Sequence, residues 1–371
     1  MLIASIVDPV EDKGGAGTVT RGLQALIRHC YPTAQLVTVA PGPARWRKGR
    51  QAFCVASALV TPMPAKVRYL YRRSFAAKIQ RMLRQESFDF LVVNGSDLAW
   101  CLDLAPAHIP KVTVVHNTES RIYYGQLASL HGPLRLLASV LNHDVRRLAR
   151  YELEGLRRVS GAIFLSEADA EYAAGHLPAL KFIVMPPVFP EPPRRTAKRP
   201  SRFLELGFLA NLGWWPNREG LDWFLREVFP LLPSDVHLNL FGAGTRRLDA
   251  RHPRITGHGF VSDLNEVWDT CDWMIVPIRE GSGVAVKTAE CLHHGMPILT
   301  TSFGLRGLPA VESPLVIRLE SASEWIQFLA SLQARQLCKD RLPLSCSGAY
   351  SVEFNASRFG EFCRALTSLC G

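Results

Sequence analysis

The sequence predicts an α/β protein of two doubly wound domains, each a parallel sheet flanked by helices, facing each other across a central cleft. Three observations predict it. Short continuous apolar runs alternate with helical patterns along the chain, as in strands buried on both faces. A proline-rich stretch divides that alternation in two. The length of 371 residues exceeds one core and suits two.

In the first half the strand-like runs are Leu2–Val7, Phe90–Val93, Lys111–Val115 and Gly161–Leu165, with helical patterns such as Val19–His29 between them. Lys66–Arg84 is expected as one amphipathic helix. Val67, Leu70, Tyr71, Phe75, Ile79, Met82 and Leu83 form its apolar stripe, and Lys66 and five arginines lie mostly off it, either against an anionic lipid surface or, with the stripe packed on the sheet, in water. The prolines of Met185–Arg195 cannot join helix or sheet ladders and its charges favour solvent, so it is expected as a linker. Strand-like runs resume at Arg202–Gly207, His237–Phe241, Trp273–Pro277 and Pro297–Thr300. The expected organisation is a domain over residues 1–187, a linker over 188–202, a second domain over 203–345 and a helical tail over 346–371.

The net charge of +10 is uneven: residues 1–190 carry +9, residues 191–202 carry +4 and the remainder carries −3. An excess confined to one half suggests that this half meets something anionic, a lipid surface, a phosphorylated acceptor or nucleic acid; a solvated basic surface is the alternative. No RNA- or DNA-binding motif accompanies the charge, which argues against nucleic acid as a partner. The nine cysteines form no Cys-x-x-Cys pair, and no apolar run reaches 18 residues. The expected location is cytoplasmic, with peripheral contact to the inner face of the cell membrane.

The most informative stretch is Trp273–Pro297, which parses as buried strand, glycine-rich loop, short helix, glycine stop and next strand. The loop glycines permit close approach of a ligand to the backbone, and the helix start offers free N–H groups and a dipole suited to a diphosphate. Lys287 and Glu290, three apart, share one helix face, where a cation can neutralise phosphate and a carboxylate can accept ribose hydroxyls. A plain turn with an exposed ion pair is the alternative.

Gly281-Ser282-Gly283, Lys287, Glu290, Gly295-Met296-Pro297 and Thr301–Leu308 together resemble the donor-site signature of glycosyltransferase family 4. Gly207, Pro216-Asn217, Leu240–Gly244 and Gly257–Val261 extend the resemblance over residues 203–310, and Gly14–Gly17, Val115–Ser120 and Phe164–Ala170 add matches in the first half. The resemblance implies a GT-B fold of two Rossmann-like domains, with the C-terminal helix crossing back to the first, acceptor-binding domain. It also implies metal-independent, anomer-retaining transfer from a nucleotide diphosphate sugar, without cofactor, to a glycan or lipid-linked acceptor. In that reading Glu290 holds the ribose, the amides of Gly283 and Val284 with Lys287 face the diphosphate, and the backbone of Gly259, Phe260 and Val261 meets the base. Gly242 belongs to the same donor-side set. Ser282 stands where the family's first glutamate addresses the sugar. Phe208 stands at the family's arginine, with Arg218 as its candidate substitute.

In the first half, the loop of Gly14-Gly15-Ala16-Gly17 is expected to present the amides of Gly15 and Gly17 to donor phosphate or acceptor. It is not a dinucleotide fingerprint, which disfavours an oxidoreductase. His116 ends a strand, where cleft residues of open α/β sheets sit; it is expected to bind the acceptor or assist its deprotonation, with Glu119 as a further polar candidate. The expected catalytic set is thus His116, Glu119 and Lys287. The alternative on the same fold is a nucleotide-sugar epimerase or a catalytically silent binding protein.

Overall fold

The computed structural model describes residues 1–12, 14–41, 47–57, 61–128, 135–192, 201–249, 252–281 and 283–367. The chain divides into two compact units. One holds Met1–Val188 with Ser282–Val284 and Asn355–Gly371, the other Phe189–Gly281 with Ala285–Phe354.

The first unit has β1 (Leu2–Ser5), β2 (Val37–Val39), β3 (Leu91–Asn94), β4 (Lys111–Val115), β5 (Gly161–Phe164) and β6 (Phe182–Val184), all parallel, in the order β2-β1-β3-β4-β5-β6. Parallel neighbours require crossovers. These are supplied by α1 (Gly15–Cys30), α2 (Arg47–Ala56), α3 (Ala65–Leu70), α4 (Arg73–Gln85), α5 (Glu119–Ala128), α6 (Arg135–Arg157) and α7 (Glu167–His176). One face of the sheet packs Leu2, Ala4, Leu91 and Val93 with Val67, Phe75, Ile79 and Leu148. Val115, Ala162 and Phe164 pack with Ala170 and Ala173 in a separate cluster.

The second unit has β7 (Leu204–Leu209), β8 (Val236–Phe241), β9 (Ile255–Gly259), β10 (Trp273–Val276), β11 (Ile298–Thr300) and β12 (Val316–Arg318), again parallel, in the order β12-β11-β10-β7-β8-β9. Its helices are α8 (Trp215–Trp223), α9 (Asn265–Thr270), α10 (Val286–His293), α11 (Ala322–Ala330), α12 (Leu332–Leu337) and α13 (Leu344–Ser347). The strand period of two sorts side chains between two cores. Trp273, Ile275, Leu238 and Leu240 face one, while Met274, Val276 and Phe241 face the other. The buried indole N–H groups of Trp273 and Trp325 donate to the carbonyls of Ala334 and Leu319 at 2.9 and 2.8 Å, so neither is left unsatisfied. The last helix, α14 (Val352–Thr367), lies largely in the first unit. A Cβ built on Gly161 would come 2.7 Å from Phe362 Cζ, so only glycine admits the helix so close to β5.

Three sequence expectations are corrected. The strands β2, β6, β9 and β12 were not anticipated. Lys66–Arg84 is two helices, broken where Tyr71 and Arg72 are extended; the break lets Tyr71 and Phe75 both pack edge-on against Trp100, at 4.9 and 5.6 Å. The described part of the proline-rich stretch is not solvated throughout, because Met185, Val188 and Phe189 are buried. Phe189 N–H donates to Tyr350 O at 2.9 Å, and its ring stacks on His293. Residues 193–200 of the expected linker lie outside the described residues.

Candidate functional site

In each sheet the strand order reverses at an inner strand pair, between β1 and β3 in one unit and between β7 and β10 in the other. Ligands of open α/β sheets bind beyond the carboxyl ends of the strands near such points. Most of the sequence-selected residues lie there. Gly15 and Gly17 follow β1, and His116 and Glu119 follow β4. Gly242 follows β8, Gly259–Val261 close β9, and Gly283–Glu290 follow β10.

In the loop after β10, Gly281 and Gly283 have φ of 132° and 74°, left-handed conformations that fit glycine. The carbonyl of Gly281 accepts from Arg306 Nη1 at 3.0 Å. The residue before α10, Ala285, makes no side-chain cap hydrogen bond to the helix start. Lys287 Nζ donates to Glu290 Oε2 at 2.6 Å. The pair is not the exposed surface pair of the alternative reading, since the Glu290 side chain is 6% accessible and that of Lys287 27%. Gly242 has φ of 111°, its N–H donates to Gly259 O at 2.6 Å, and a Cβ there would sit 2.0 Å from Ala210 O. Phe260 is exposed and Val261 half-buried, beside Gly259 at φ 76°. Phe208 is buried in the core, and Arg218 is exposed on α8. Ser282 lies outside the described residues.

In the first unit the glycine loop is already engaged. Asp12 Oδ1 accepts from Gly14 N–H at 2.7 Å and Oδ2 from Gly17 N–H at 3.2 Å. The Gly17 amide therefore meets a carboxylate of its own loop, not an open site, which corrects the expectation for that residue. A Cβ on Gly17 would meet Asp12 O at 1.9 Å.

His116 is buried, and its Nε2 lies 2.7 Å from Asn94 Oδ1. Burial lowers the imidazole to about 4, against the pull of Glu119, so the ring is neutral at pH 7. Such a ring is a weak base and a good hydrogen-bond partner. Glu119 is occupied: Lys66 Nζ donates to its Oε2 and Asn117 Nδ2 to its Oε1 at 3.2 Å. Lys66 also lies 3.5 Å from Asp97 Oδ2, so this lysine serves buried carboxylates and not the solvated face expected of it. Burial alone would lower the Lys66 ammonium, but Asp97 and Glu119 outweigh it and raise it. Burial raises Asp97 to about 6 despite Lys66, and raises Glu152 to about 7 despite its hydrogen bonds.

Glu152 and Asp169 hold the entry to α5. Glu152 Oε1 accepts from Glu119 N–H at 2.7 Å and Oε2 from Ser120 N–H at 3.1 Å, while Asp169 Oδ1 accepts from Thr118 N–H and Oγ1 at 3.1 and 2.6 Å. A cavity of about 20 Å³ between Ser96, Thr118, Glu152 and Asp169 has room for one water. Sequence reasoning missed Asp12, Lys66, Asn94, Asp97 and Glu152 as members of this polar set. A carboxylate two residues before the glycine loop was the one available signal; the others lie 22 to 89 residues from their partners.

Residues 14–189 match the family model described as Glycosyltransferase Family 4, and residues 204–334 match that of Glycosyl transferases group 1. Among curated proteins none matches the chain in sequence. Among solved structures, HepE of Anabaena, in complex with UDP and glucose, is 14% identical with a TM-score of 0.60, covering 98% of this chain and 100% of that one. Sucrose-phosphate synthase of Thermosynechococcus elongatus is 13% identical with a TM-score of 0.65, covering 99% and 98%. TarM is 10% identical with a TM-score of 0.58 over 78% of this chain, which spans 58% of TarM's length. These likenesses show the GT-B fold.

Proposed function

We propose, from the premise that the chain is built of family 4 and group 1 glycosyltransferase domains on a GT-B fold, that it transfers a sugar from a nucleoside diphosphate sugar to a glycan or lipid-linked acceptor with retention of anomeric configuration. The observation that carries this reading is the buried Glu290 beside Lys287, one helical turn into a helix that opens from a glycine loop at the carboxyl end of β10. Glu290 accepts the ribose hydroxyls, Lys287 turns from Glu290 to the diphosphate, and the amides of Gly283 and Val284 complete the anion site. Gly259–Val261 present backbone to the base. UDP is the first nucleotide to test, since HepE was solved with it.

In the transfer, the C1–O bond to the diphosphate breaks and a bond from the acceptor oxygen to C1 forms. The acceptor's proton leaves with the diphosphate, because His116 is too weak a base to keep it at neutral pH. His116 instead orients a hydroxyl. The chain has no Asp-x-Asp sequence, and the reaction is expected to run at full rate in EDTA. Loss of turnover on chelation, restored by Mn²⁺ or Mg²⁺, would refute that part.

Calorimetry with UDP, followed by hydrogen exchange, tests the donor site. Binding with protection of the amides of residues 283–290 is expected; protection confined to residues 1–180 would refute it.

The acceptor is proposed to be met at the inner face of the cell membrane. Residues 13–85 contain 14 Lys and Arg and no Asp or Glu, and α4 exposes Arg73, Lys78, Arg81 and Arg84 while Phe53 on α2 is 61% exposed. Arg68 lies over the exposed Phe53 ring at 5.1 Å, and a basic surface with an exposed aromatic ring suits an anionic lipid surface. Flotation with anionic but not neutral vesicles is expected. Among the described residues no helix is long and apolar enough to cross a membrane.

A further inference from the structure

We propose that Asn94 is a positioning residue that locks His116 in the Nε2–H tautomer and so leaves Nδ1 as the atom that accepts a hydrogen bond from a substrate hydroxyl. This rests on the acceptor-side reading of His116 given above. The inference follows from assigning every proton in one buried network of the first unit.

Backbone donors and acceptors are fixed in role. Thr20 Oγ1 lies 2.8 Å from Ala16 O, and a carbonyl can only accept, so the Thr20 hydroxyl donates there. Its remaining capacity is for accepting. Ser5 Oγ, 3.3 Å from Thr20 Oγ1, must then be the donor of that pair, and Ser5 in turn accepts from Val7 N–H at 3.4 Å. Asn94 Nδ2 lies 2.8 Å from Thr20 Oγ1 and 3.3 Å from Ser5 Oγ, so both amide protons find acceptors. The opposite amide orientation would put a carbonyl 2.8 Å from Thr20 Oγ1, whose proton is already given to Ala16 O, leaving two acceptors face to face.

With the amide fixed, Asn94 Oδ1 faces His116 Nε2 at 2.7 Å and can only accept, so Nε2 carries the proton. Among the described residues Nδ1 has no partner. Ser5, Asn94 and Thr20 are each 0% exposed, so water does not compete for these bonds. A ring held neutral by burial keeps the second nitrogen unprotonated, which agrees with this assignment. The network also ties His116 to Ala16 in the first turn of α1, so the glycine loop and the strand-end histidine act as one unit.

The test is imidazole ¹⁵N NMR of the full chain near neutral pH, beside steady-state rates and UDP calorimetry. The wild type should show His116 protonated at Nε2 with a free Nδ1. Asn94→Leu should abolish the tautomer preference and cut kcat on the order of 10-fold or more, with UDP affinity unchanged. Should Asn94→Leu fail to fold, Thr20→Val, nearly isosteric, releases the amide and should mix the tautomers. Asn94→Asp keeps an acceptor for Nε2–H and should preserve the Nε2–H signal. An Nδ1–H wild type, or an unchanged tautomer in both Asn94→Leu and Thr20→Val, would overturn the proposal. Full turnover in His116→Ala with the expected spectra would instead overturn the acceptor-side reading, and the positioning role with it.

Discussion

Glu290 in the second unit and Glu152 in the first are buried alike, at 5% and 6% exposure, but they are held differently. Glu152 accepts two backbone amides and the Ser96 hydroxyl, all supplied by its own unit's folding. Glu290 has Lys287, a partly exposed lysine one turn earlier on the same helix. A carboxylate satisfied by backbone stabilises architecture, and losing it loosens α5. A carboxylate whose partner is a flexible lysine can exchange that partner for a ligand at small cost. Burial alone does not separate structural from binding acids; the origin of the partner does.

The comparison can be broken most forcefully at Lys66. Lys66→Met leaves Asp97 and Glu119 without a cation, and removing one member of a buried pair costs about 3 kcal/mol or more. With 36% of the Lys66 side chain exposed, a value near 3 kcal/mol is expected from urea unfolding at pH 8, with UDP affinity unaltered. A destabilisation under ~1 kcal/mol would show that the cluster is solvated and not architectural.

Glu290→Gln should do the reverse. Loss of a charged hydrogen bond to ribose weakens UDP binding by about 1.5–3 kcal/mol, roughly 10- to 150-fold, in calorimetry. Unfolding midpoints without nucleotide should stay close to the wild type. An unfolded Glu290→Gln protein, or one that binds UDP normally, would place Glu290 among the architectural acids.

The smallest effect sharpens the contrast through pH. Glu152 has a folded pKa near 7, above its unfolded value, so its folded form holds the proton more tightly. Its contribution to stability is complete below about pH 4 and is lost as pH rises through 7. Asp97, raised to about 6, slopes the same way, while His116, lowered to about 4, slopes oppositely between pH 6.5 and 4. Comparing Glu152→Gln with wild type isolates one slope. The mutant should gain relative stability on the order of 1 kcal/mol between pH 5 and pH 8. A constant difference across that range would mean Glu152 is ionised throughout.

The fold was legible where burial is two-sided. Strands β1, β3, β4, β5, β7, β8, β10 and β11 are the inner strands of the two sheets, and each overlaps a strand-like run of the sequence, although Glu205 interrupts β7 and His237 and Asn239 interrupt β8. The four strands that escaped notice, β2, β6, β9 and β12, are the four sheet edges. Three have only three residues, and β9 is broken by Gly257 and Gly259. An edge strand is partly solvated, so Phe182 and Arg318 are exposed, and the apolar run of β6, Phe182-Ile183-Val184, is too short to mark a strand by itself.

For the candidate site, the sequence by itself determined what is local. The left-handed glycines of the loop before α10, the placing of Lys287 and Glu290 on one helix face, and the position of His116 at a strand end all follow from spacing and backbone sterics. Only the tertiary structure decided which polar groups find each other across long separations. Asp12 closes on its own glycine loop, Lys66 pairs with Glu119 53 positions away, and Asn94 stands between Thr20 and His116. The physical reason is that local geometry is fixed by bonded sterics within a few residues. The partner of a buried charge or amide is fixed instead by which strand ends the sheet order brings together, and no spacing in the sequence encodes that order.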